Sequence, residues 1–134
     1  MNIVDEKRRT LWDEEESNCA GTALYLVGQR ERDRPCHPWN VHPYVLAELR
    51  RLAEPELNCL VAWEKDEPVP NGKPLVKVFH MGVITSTDPL LITHRIGNSK
   101  SVHQDEPFDE VDFLYQHWVP DRVGFYKYPL PISA

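Results

Sequence analysis

Three residues of the sequence are of types that together could form a nucleophilic catalytic site: Cys19, His80 and His94. Cys19 stands at the start of a segment with helical apolar spacing, where unpaired backbone N–H groups and the helix dipole favour the thiolate. A cysteine at a helix terminus beside a histidine on a strand is the arrangement of thiol hydrolases, in which the imidazole takes the thiol proton. The sequence therefore predicts thiol chemistry.

The two histidines are predicted to be neighbours by the register of a hairpin. Two apolar runs, Leu75–Ile84 and Leu90–Ile96, read as strands that a five-residue loop joins. If the two residues that flank this loop face each other, His80 faces His94. Opposed residues share one face of a sheet, with Cβ atoms about 5 Å apart. One imidazole can then act as general base, while the other fixes its tautomer and ring orientation.

The element that carries Cys19 is predicted to be a helix. Ser17 or Asn18 can serve as N-cap, and Gly28 can end the helix. Between them the apolar residues recur at the spacing of one helical face, namely Ala20, Ala23, Leu24 and Val27.

Other patterns complete an α+β prediction. A second helix is predicted from Pro43 to Pro55, with Val45, Leu46, Leu49 and Leu52 on its inner face. Further predicted elements are a strand over Leu57–Trp63, a turn-rich connection over 64–74, a hairpin loop over Thr85–Pro89, a short helix after Pro107 that includes Phe108, Val111, Leu114, Tyr115 and Trp118, and a strand over Val123–Tyr128.

Length and composition limit the function classes. The 134 residues suit one domain, 1–134, and the formal charge of −6 argues against nucleic acid as a partner. No apolar stretch approaches the roughly 20 residues of a membrane span, and the N-terminal residues lack the pattern of a secretory signal. Three cysteines are an odd set, so at least one thiol is expected to be free. We expect a cytoplasmic protein unless a dedicated machine exports it.

Three short segments resemble a known family. Asn18-Cys19-Ala20-Gly21 and the apolar helix after it resemble the Asp-Cys-Ser-Gly helix of NlpC-type cell-wall peptidases, compact members of the papain-like cysteine peptidase superfamily. The run His80-Met81-Gly82-Val83-Ile84 resembles the His-x-Gly-Ile/Val strand of that family. Leu91-Ile92-Thr93-His94-Arg95-Ile96-Gly97 resembles its next strand, which carries the third, polar catalytic residue. The order Cys, His, His is also that of the family.

The resemblance implies a fold and an activity. The fold would be papain-like, with N-terminal helices packed on a mostly antiparallel sheet. The activity would be cleavage of amide bonds next to D-glutamyl or diaminopimelyl residues in peptidoglycan stem peptides. Cys19 would be the nucleophile, His80 the base and later the acid, and His94 the orienting residue. The backbone N–H of Cys19 would help to form the oxyanion hole, and no cofactor is implied.

The sequence departs from the family at the start of the nucleophile helix, where Asn18 replaces the usual Asp and Ala20 replaces the usual Ser. Trp12 and Asn18 are the candidates for an oxyanion side chain, and Trp39 is a candidate to line a substrate cleft. An acidic chain without a recognisable secretory signal would suit an injected effector, a phage-derived enzyme or a cytoplasmic amidase.

Alternative interpretations remain open at this point. Cys19 alone could be a small buried residue of the core. The domain could be a catalytically inert papain-like module that binds a protein or peptide, or a thiol acyltransferase that uses the same three residues. A zinc site at Cys36, His37 and His42 is not expected, because their spacing matches no common zinc motif and three prolines explain a stiff loop there. The sequence leaves the oligomeric state unknown.

Overall fold

A computed structural model of the chain describes residues 2–96 and 101–130. The helices are α1 (Ile3–Arg8), α2 (Cys19–Leu26), α3 (Val41–Tyr44) and α4 (Phe108–Gln116), and a 3₁₀ turn covers Leu46–Glu48. The strands are β1 (Arg50–Leu52), β2 (Leu60–Glu67), β3 (Leu75–Thr87), β4 (Leu90–Arg95), β5 (Val102–Pro107) and β6 (Arg122–Lys127). Across the described residues, no helix has both the length and the apolar character that crossing a bilayer requires.

The six strands form one antiparallel sheet in the order β1-β6-β2-β3-β4-β5. Side chains on a strand alternate between the two faces, so the sheet has two separate cores. Helices α1, α2 and α3 cover one face, whose core includes Leu24, Leu26, Leu60, Met81 and Val83. Helix α4 covers the other face, whose core includes Val61, Trp63, Ile84, Ile92 and Phe108. The α+β prediction with a mostly antiparallel sheet is confirmed.

The predicted helix at Cys19 is confirmed as α2. The Asn18 side chain caps it by accepting a hydrogen bond from the Gly21 N–H at 2.8 Å, and Gly28 follows its end at φ 82°. A Cβ at Gly21 would lie 1.8 Å from the carbonyl oxygen of Arg34. Glycine therefore lets the first turn of α2 pack directly against the chain at Arg34.

The predicted helix from Pro43 to Pro55 is wrong. Helix α3 ends at Tyr44, because Val45 leaves the helical region at φ −130° and ψ −66°. The chain then makes the 3₁₀ turn and becomes β1, which pairs with β6 through Arg51 and Tyr126. The pattern reports burial correctly for Leu46, which is fully buried. The edge of β6 makes this segment a strand, and such a distant partner is invisible to local periodicity.

Other boundaries also differ from the predictions. Strand β2 begins three residues later than expected and continues through Glu67, into the segment that was predicted to be a turn. Strand β6 and helix α4 lie where they were expected, although α4 ends before Trp118. The short elements α1, β1 and β5 were not predicted. Gly97, the last residue of the third family-like segment, lies outside the described residues.

The predicted hairpin register is also wrong. Strand pairing continues to Thr87 and Leu90, so the turn is Asp88-Pro89, whose peptide bond is cis, rather than a five-residue loop. After an irregularity in β3, Ile84 faces Ile92 instead of Leu90. This register displaces His80 and His94 by two residues, so the two histidines are diagonal neighbours. Long or aromatic side chains still reach each other across that separation.

Candidate active site

The two histidines form a hydrogen-bonded pair in the interior, as the sequence predicts. His80 Nε2 lies 2.8 Å from His94 Nδ1, and the two rings are close to perpendicular at 87°. Only 1% of His80 and 3% of His94 is exposed to solvent. A Cβ at Gly82 would lie 2.6 Å from the Ile92 side chain, so glycine lets β4 pack closely against β3 next to the histidine pair. The contact between the two histidines fixes the orientation of both rings.

Aromatic side chains enclose the His80 ring. Tyr115 of α4 stacks on it with ring centroids 3.7 Å apart and an angle of 11°, and Trp63 of β2 lies at 5.3 Å. Burial, helped by the nearby His94, lowers the pKa of His80 well below 6.5. His80 is therefore a neutral imidazole at neutral pH, which is the form that accepts a proton.

The thiol of Cys19 lies beside β3. Cys19 is the first residue of α2, and its sulfur interacts with backbone groups of Met81, Ala20 and Cys19 itself. Met81 follows His80 directly. Tyr115, which stacks on His80, has its pKa raised to about 12 by burial first and then by the charges of Cys19 and Glu106. The thiol therefore lies beside the β3 backbone at the residue after His80, and a separation of about 4 Å between Sγ and a ring nitrogen of His80 stays a prediction.

The protonation state of the thiol differs from the expectation. The backbone N–H groups at the start of α2 favour the thiolate, but burial outweighs them and raises the pKa of Cys19 above 9.0. Because burial also lowers the pKa of His80, the resting site is a neutral thiol near a neutral imidazole.

This protonation state predicts a pattern of alkylation by iodoacetamide. All three cysteines are free; Cys19 is partly exposed, whereas Cys36 and Cys59 are 5% and 2% exposed. Cys19 should react first, and its rate should rise from pH 6 to pH 9 because only the thiolate reacts and its pKa is raised. Cys59 is the least exposed of the three, and burial raises its pKa to about 11, so Cys59 should react last.

Peptide mass spectrometry of samples quenched over time would measure these alkylation rates. The Cys19→Ala variant is the control, and it should lose the fast phase while the slow labelling of Cys36 and Cys59 continues. Labelling of Cys19 no faster than Cys36 would identify it as an inert residue of the core.

Asn18 has a structural role at the start of α2. Its side-chain oxygen accepts hydrogen bonds from the N–H groups of Gly21 and Cys36 at 2.8 and 3.1 Å. Its side-chain nitrogen donates to the carbonyl of Cys36 at 2.8 Å. An aspartate has no N–H to donate, so asparagine here ties the start of α2 to the following loop in both directions. A contribution of Asn18 to the oxyanion hole stays a prediction.

The two candidate tryptophans lie in different places. Trp39 follows Pro38, whose carbonyl accepts a hydrogen bond from the Val78 N–H of β3 at 3.0 Å, so this loop runs beside the strand just before His80. Lys77 lies over the Trp39 ring at 5.7 Å. Trp12 has an exposed indole, and its carbonyl accepts from the Arg95 guanidinium at 3.0 Å. Trp39 therefore lies closer along the sheet to His80 than Trp12 is shown to be, and its role as a wall of a substrate cleft stays a prediction.

The segment considered for zinc has other interactions. The backbone N–H and carbonyl of Cys36 both form hydrogen bonds with the Asn18 side chain. His37 Nδ1 accepts a hydrogen bond from the Trp39 N–H at 3.3 Å. In the part of the chain that the structure describes, no group of three or more His, Cys, Asp or Glu side chains is arranged to hold a metal ion.

Two residues of the site were missed by the sequence predictions. Glu106 of β5 places Oε1 at 2.6 Å from His94 Nε2 and at 3.1 Å from His103 Nδ1. Tyr115 was predicted only as part of an apolar helix face, and its stacking on His80 arises from the packing of α4 on the sheet. The sequence gives one signal for Glu106: it is an acidic residue in the segment that follows His94. Asp105 gives the same signal, so the sequence alone does not say which of the two carboxylates faces His94.

Comparison of the chain with protein-family models, with curated proteins and with solved structures finds no match. Its function is therefore inferred from the arrangement of its own residues and from the three family-like segments.

Proposed function

We propose that this protein is a cysteine amidase or peptidase with a papain-like fold. Cys19 is the nucleophile, His80 the general base and later the acid, and His94 the orienting residue. By resemblance, the substrate is a peptide or peptidoglycan fragment with an amide bond next to a D-glutamyl or diaminopimelyl residue. No cofactor takes part.

One observation carries the proposal: two buried histidines are hydrogen-bonded at 2.8 Å, and the residue after the first contacts a thiol at a helix N-terminus. Placing two imidazoles in the interior is costly because both must stay neutral, and burial lowers the pKa of each. Groups with perturbed pKa values near a nucleophile are characteristic of active sites.

The geometry supports a definite first step. His80 uses Nε2 for its contact with His94, and its Nδ1 makes no hydrogen bond to any described residue. As the sulfur attacks the substrate carbonyl carbon, Nδ1 takes the thiol proton, and the carbonyl π electrons move onto oxygen. The N–H groups of Cys19 and Ala20 lie in the first turn of α2, where they have no partner inside the helix. They interact with the thiol and can donate hydrogen bonds to that oxygen.

The remaining steps return the enzyme to its resting state. The tetrahedral intermediate expels the amine, which takes the proton from His80, and a thioester forms on Cys19. Water then attacks the thioester carbonyl, His80 accepts a proton from that water, and the proton returns to the sulfur as the carboxylic acid leaves. An amine or alcohol in place of water would give acyl transfer, which needs no further residue.

One observation favours the alternative of an inert binding domain: burial raises the pKa of the Cys19 thiol, as it does for cysteines of a core. In that case the domain would bind a protein or peptide without cleaving it. Formation of a covalent thioester separates the two functions.

The test is mass spectrometry of acid-quenched samples taken while the protein turns over a panel of peptide substrates. The intact protein gives the mass of any adduct, and its proteolytic fragments give the position. The panel contains γ-D-glutamyl amide bonds and ordinary peptide bonds. We expect a transient adduct on the peptide that contains Cys19, with the mass of the acyl part of the substrate, together with the free amine product. Added hydroxylamine should attack the thioester and give a hydroxamate. If a natural amine attacks the thioester faster than water does, the protein is an acyltransferase.

The Cys36→Ala variant is a matched control, because it removes a neighbouring cysteine and should leave the adduct unchanged. Binding of a peptide with neither an adduct nor a released amine would support the inert domain and contradict the proposal.

A further inference from the structure

Glu106 and His103 both face His94 because strand β5 is irregular. Residues three apart on a regular strand point to opposite faces of a sheet. Here Glu106 pairs with Ile92 and His103 pairs with His94, so three steps along β5 correspond to two along β4. The extra residue is accommodated by Asp105 at φ 56°, whose N–H donates to Thr93 Oγ1 at 3.2 Å. Such a bulge turns an additional side chain toward one face.

The bulge places a carboxylate at the far end of the histidine pair. Glu106 Oε1 lies 2.6 Å from His94 Nε2, and His94 Nδ1 lies 2.8 Å from His80 Nε2. An ionised carboxylate has only acceptors, so the proton in the first contact belongs to His94 Nε2. A neutral imidazole carries one N–H, which leaves His94 Nδ1 as an acceptor. The donor in the second contact must then be His80 Nε2.

We propose that Glu106 is a positioning residue that fixes the tautomers of both histidines through this chain of hydrogen bonds. Its carboxylate holds the proton of His94 on Nε2, and His94 in turn holds the proton of His80 on Nε2. Nδ1 of His80 is left with its lone pair, ready to accept a proton. The catalytic consequence rests on the proposed function, whereas the tautomers themselves do not.

The carboxylate also acts on charge. When His80 accepts a proton, the positive charge is shared with His94 through their hydrogen bond, and Glu106 stabilises it. Consistent with this direction, Glu106 raises the pKa of His94 against the lowering by burial. Among the described residues, Glu106 lies against His94 and His103, and its charge also acts on Tyr115. His103 is half-exposed and makes its own contact with the same oxygen.

The first test is long-range ¹H–¹⁵N correlation spectroscopy of ¹⁵N-histidine-labelled protein at about pH 8. In the wild type, His80 and His94 should both be neutral with the proton on Nε2. In Glu106→Gln the amide can donate or accept, so His94, and with it His80, should show a mixture of tautomers. Glu106→Asp, which keeps the charge, should restore part of the wild-type pattern. Glu110→Gln, the same change on the exposed side of α4, should leave the spectrum unchanged.

The second test is kinetic. Glu106→Gln should lower kcat/KM by about 10- to 100-fold, because it acts on the base through an intervening histidine. Loss of the carboxylate also lowers the pKa of His94, so the acid limb of the profile of kcat/KM against pH should move to lower pH. Glu106→Asp should keep most of the activity.

The outcomes separate this inference from the proposed function. An Nδ1-protonated His94 in the wild type, or unchanged tautomers in Glu106→Gln, would overturn the role of Glu106 whether or not the protein is an enzyme. The expected tautomers in a protein that hydrolyses nothing would support the positioning role and contradict the proposed function. The wild-type spectrum alone decides the tautomers if Glu106→Gln fails to fold.

Discussion

Replacing Cys19 by alanine should abolish amide hydrolysis, with a loss in kcat/KM on the order of 10⁴- to 10⁶-fold, because no other group of the site can form the thioester. His80→Gln should lose a similar amount, since no base remains to take the thiol proton. The double variant should lose little more than either single variant, because groups that act as one unit are not additive. Initial rates on the γ-D-glutamyl and ordinary peptide panel would measure these losses.

Glutamine is the better replacement for His80, because the imidazole fills a space between Trp63 and Tyr115 that alanine would leave empty. Thermal unfolding of each variant must accompany the kinetics. The exposed His117→Ala is the matched control and should keep wild-type activity. Full activity in Cys19→Ala, or losses that multiply in the double variant, would contradict the mechanism.

The three substitutions of His94 should form a graded series. His94→Asn and His94→Gln can retain part of the hydrogen bond to His80 Nε2 and should retain part of the rate. His94→Ala loses the contact and should lose more. Equal loss in all three variants would show that His94 serves the packing of the site rather than the orientation of His80.

Replacing Arg95 by alanine should lower the free energy of unfolding by about 3–5 kcal/mol, the range for breaking a buried ion pair from one side. The Arg95 side chain is fully buried and lies 2.8 Å from Asp33 and 2.7 Å from the Thr22 hydroxyl of α2. Without the guanidinium, the Asp33 carboxylate would stay buried without its cation. Denaturant titration with a constant m value would measure the change.

Arg50→Ala is the matched control for Arg95→Ala. The Arg50 guanidinium is 67% exposed and lies 3.7 Å from Glu56, so its loss should change stability by less than about 0.5 kcal/mol. The double variant Arg95→Met/Asp33→Asn should recover part of the loss, because it removes both charges. A loss below about 1 kcal/mol in Arg95→Ala would show that this network contributes little to the fold.

Local signals in the sequence were sufficient for the helix that carries Cys19. Its N-cap Asn18, its apolar spacing and Gly28 lie within a dozen residues, and all act through contacts inside the helix or at its ends. The α+β class and the closeness of His80 and His94 were also predictable, because a short connection between two apolar runs leaves few ways to pair them. These features depend on neighbours in sequence.

The tertiary structure decided the features that depend on distant partners. The chain after Leu49 becomes a strand because β6, more than 70 residues later, provides an edge for it to pair with. The hairpin register followed from irregular strand pairing rather than from the two residues that flank the predicted loop. Periodicity reports that a residue is buried, and it does not say which element buries it.

The candidate site divides in the same way. The candidate reacting residues, Cys19, His80 and His94, could be named from the sequence, because few side-chain types can serve as nucleophile or base and two of these residues lie on one hairpin. Only the fold decided that Glu106 lies behind His94, since a bulge at Asp105 must first turn it to that face. The pKa of the thiol is also a tertiary property: helix position favours the thiolate, but the burial that raises this pKa comes from packing against β3.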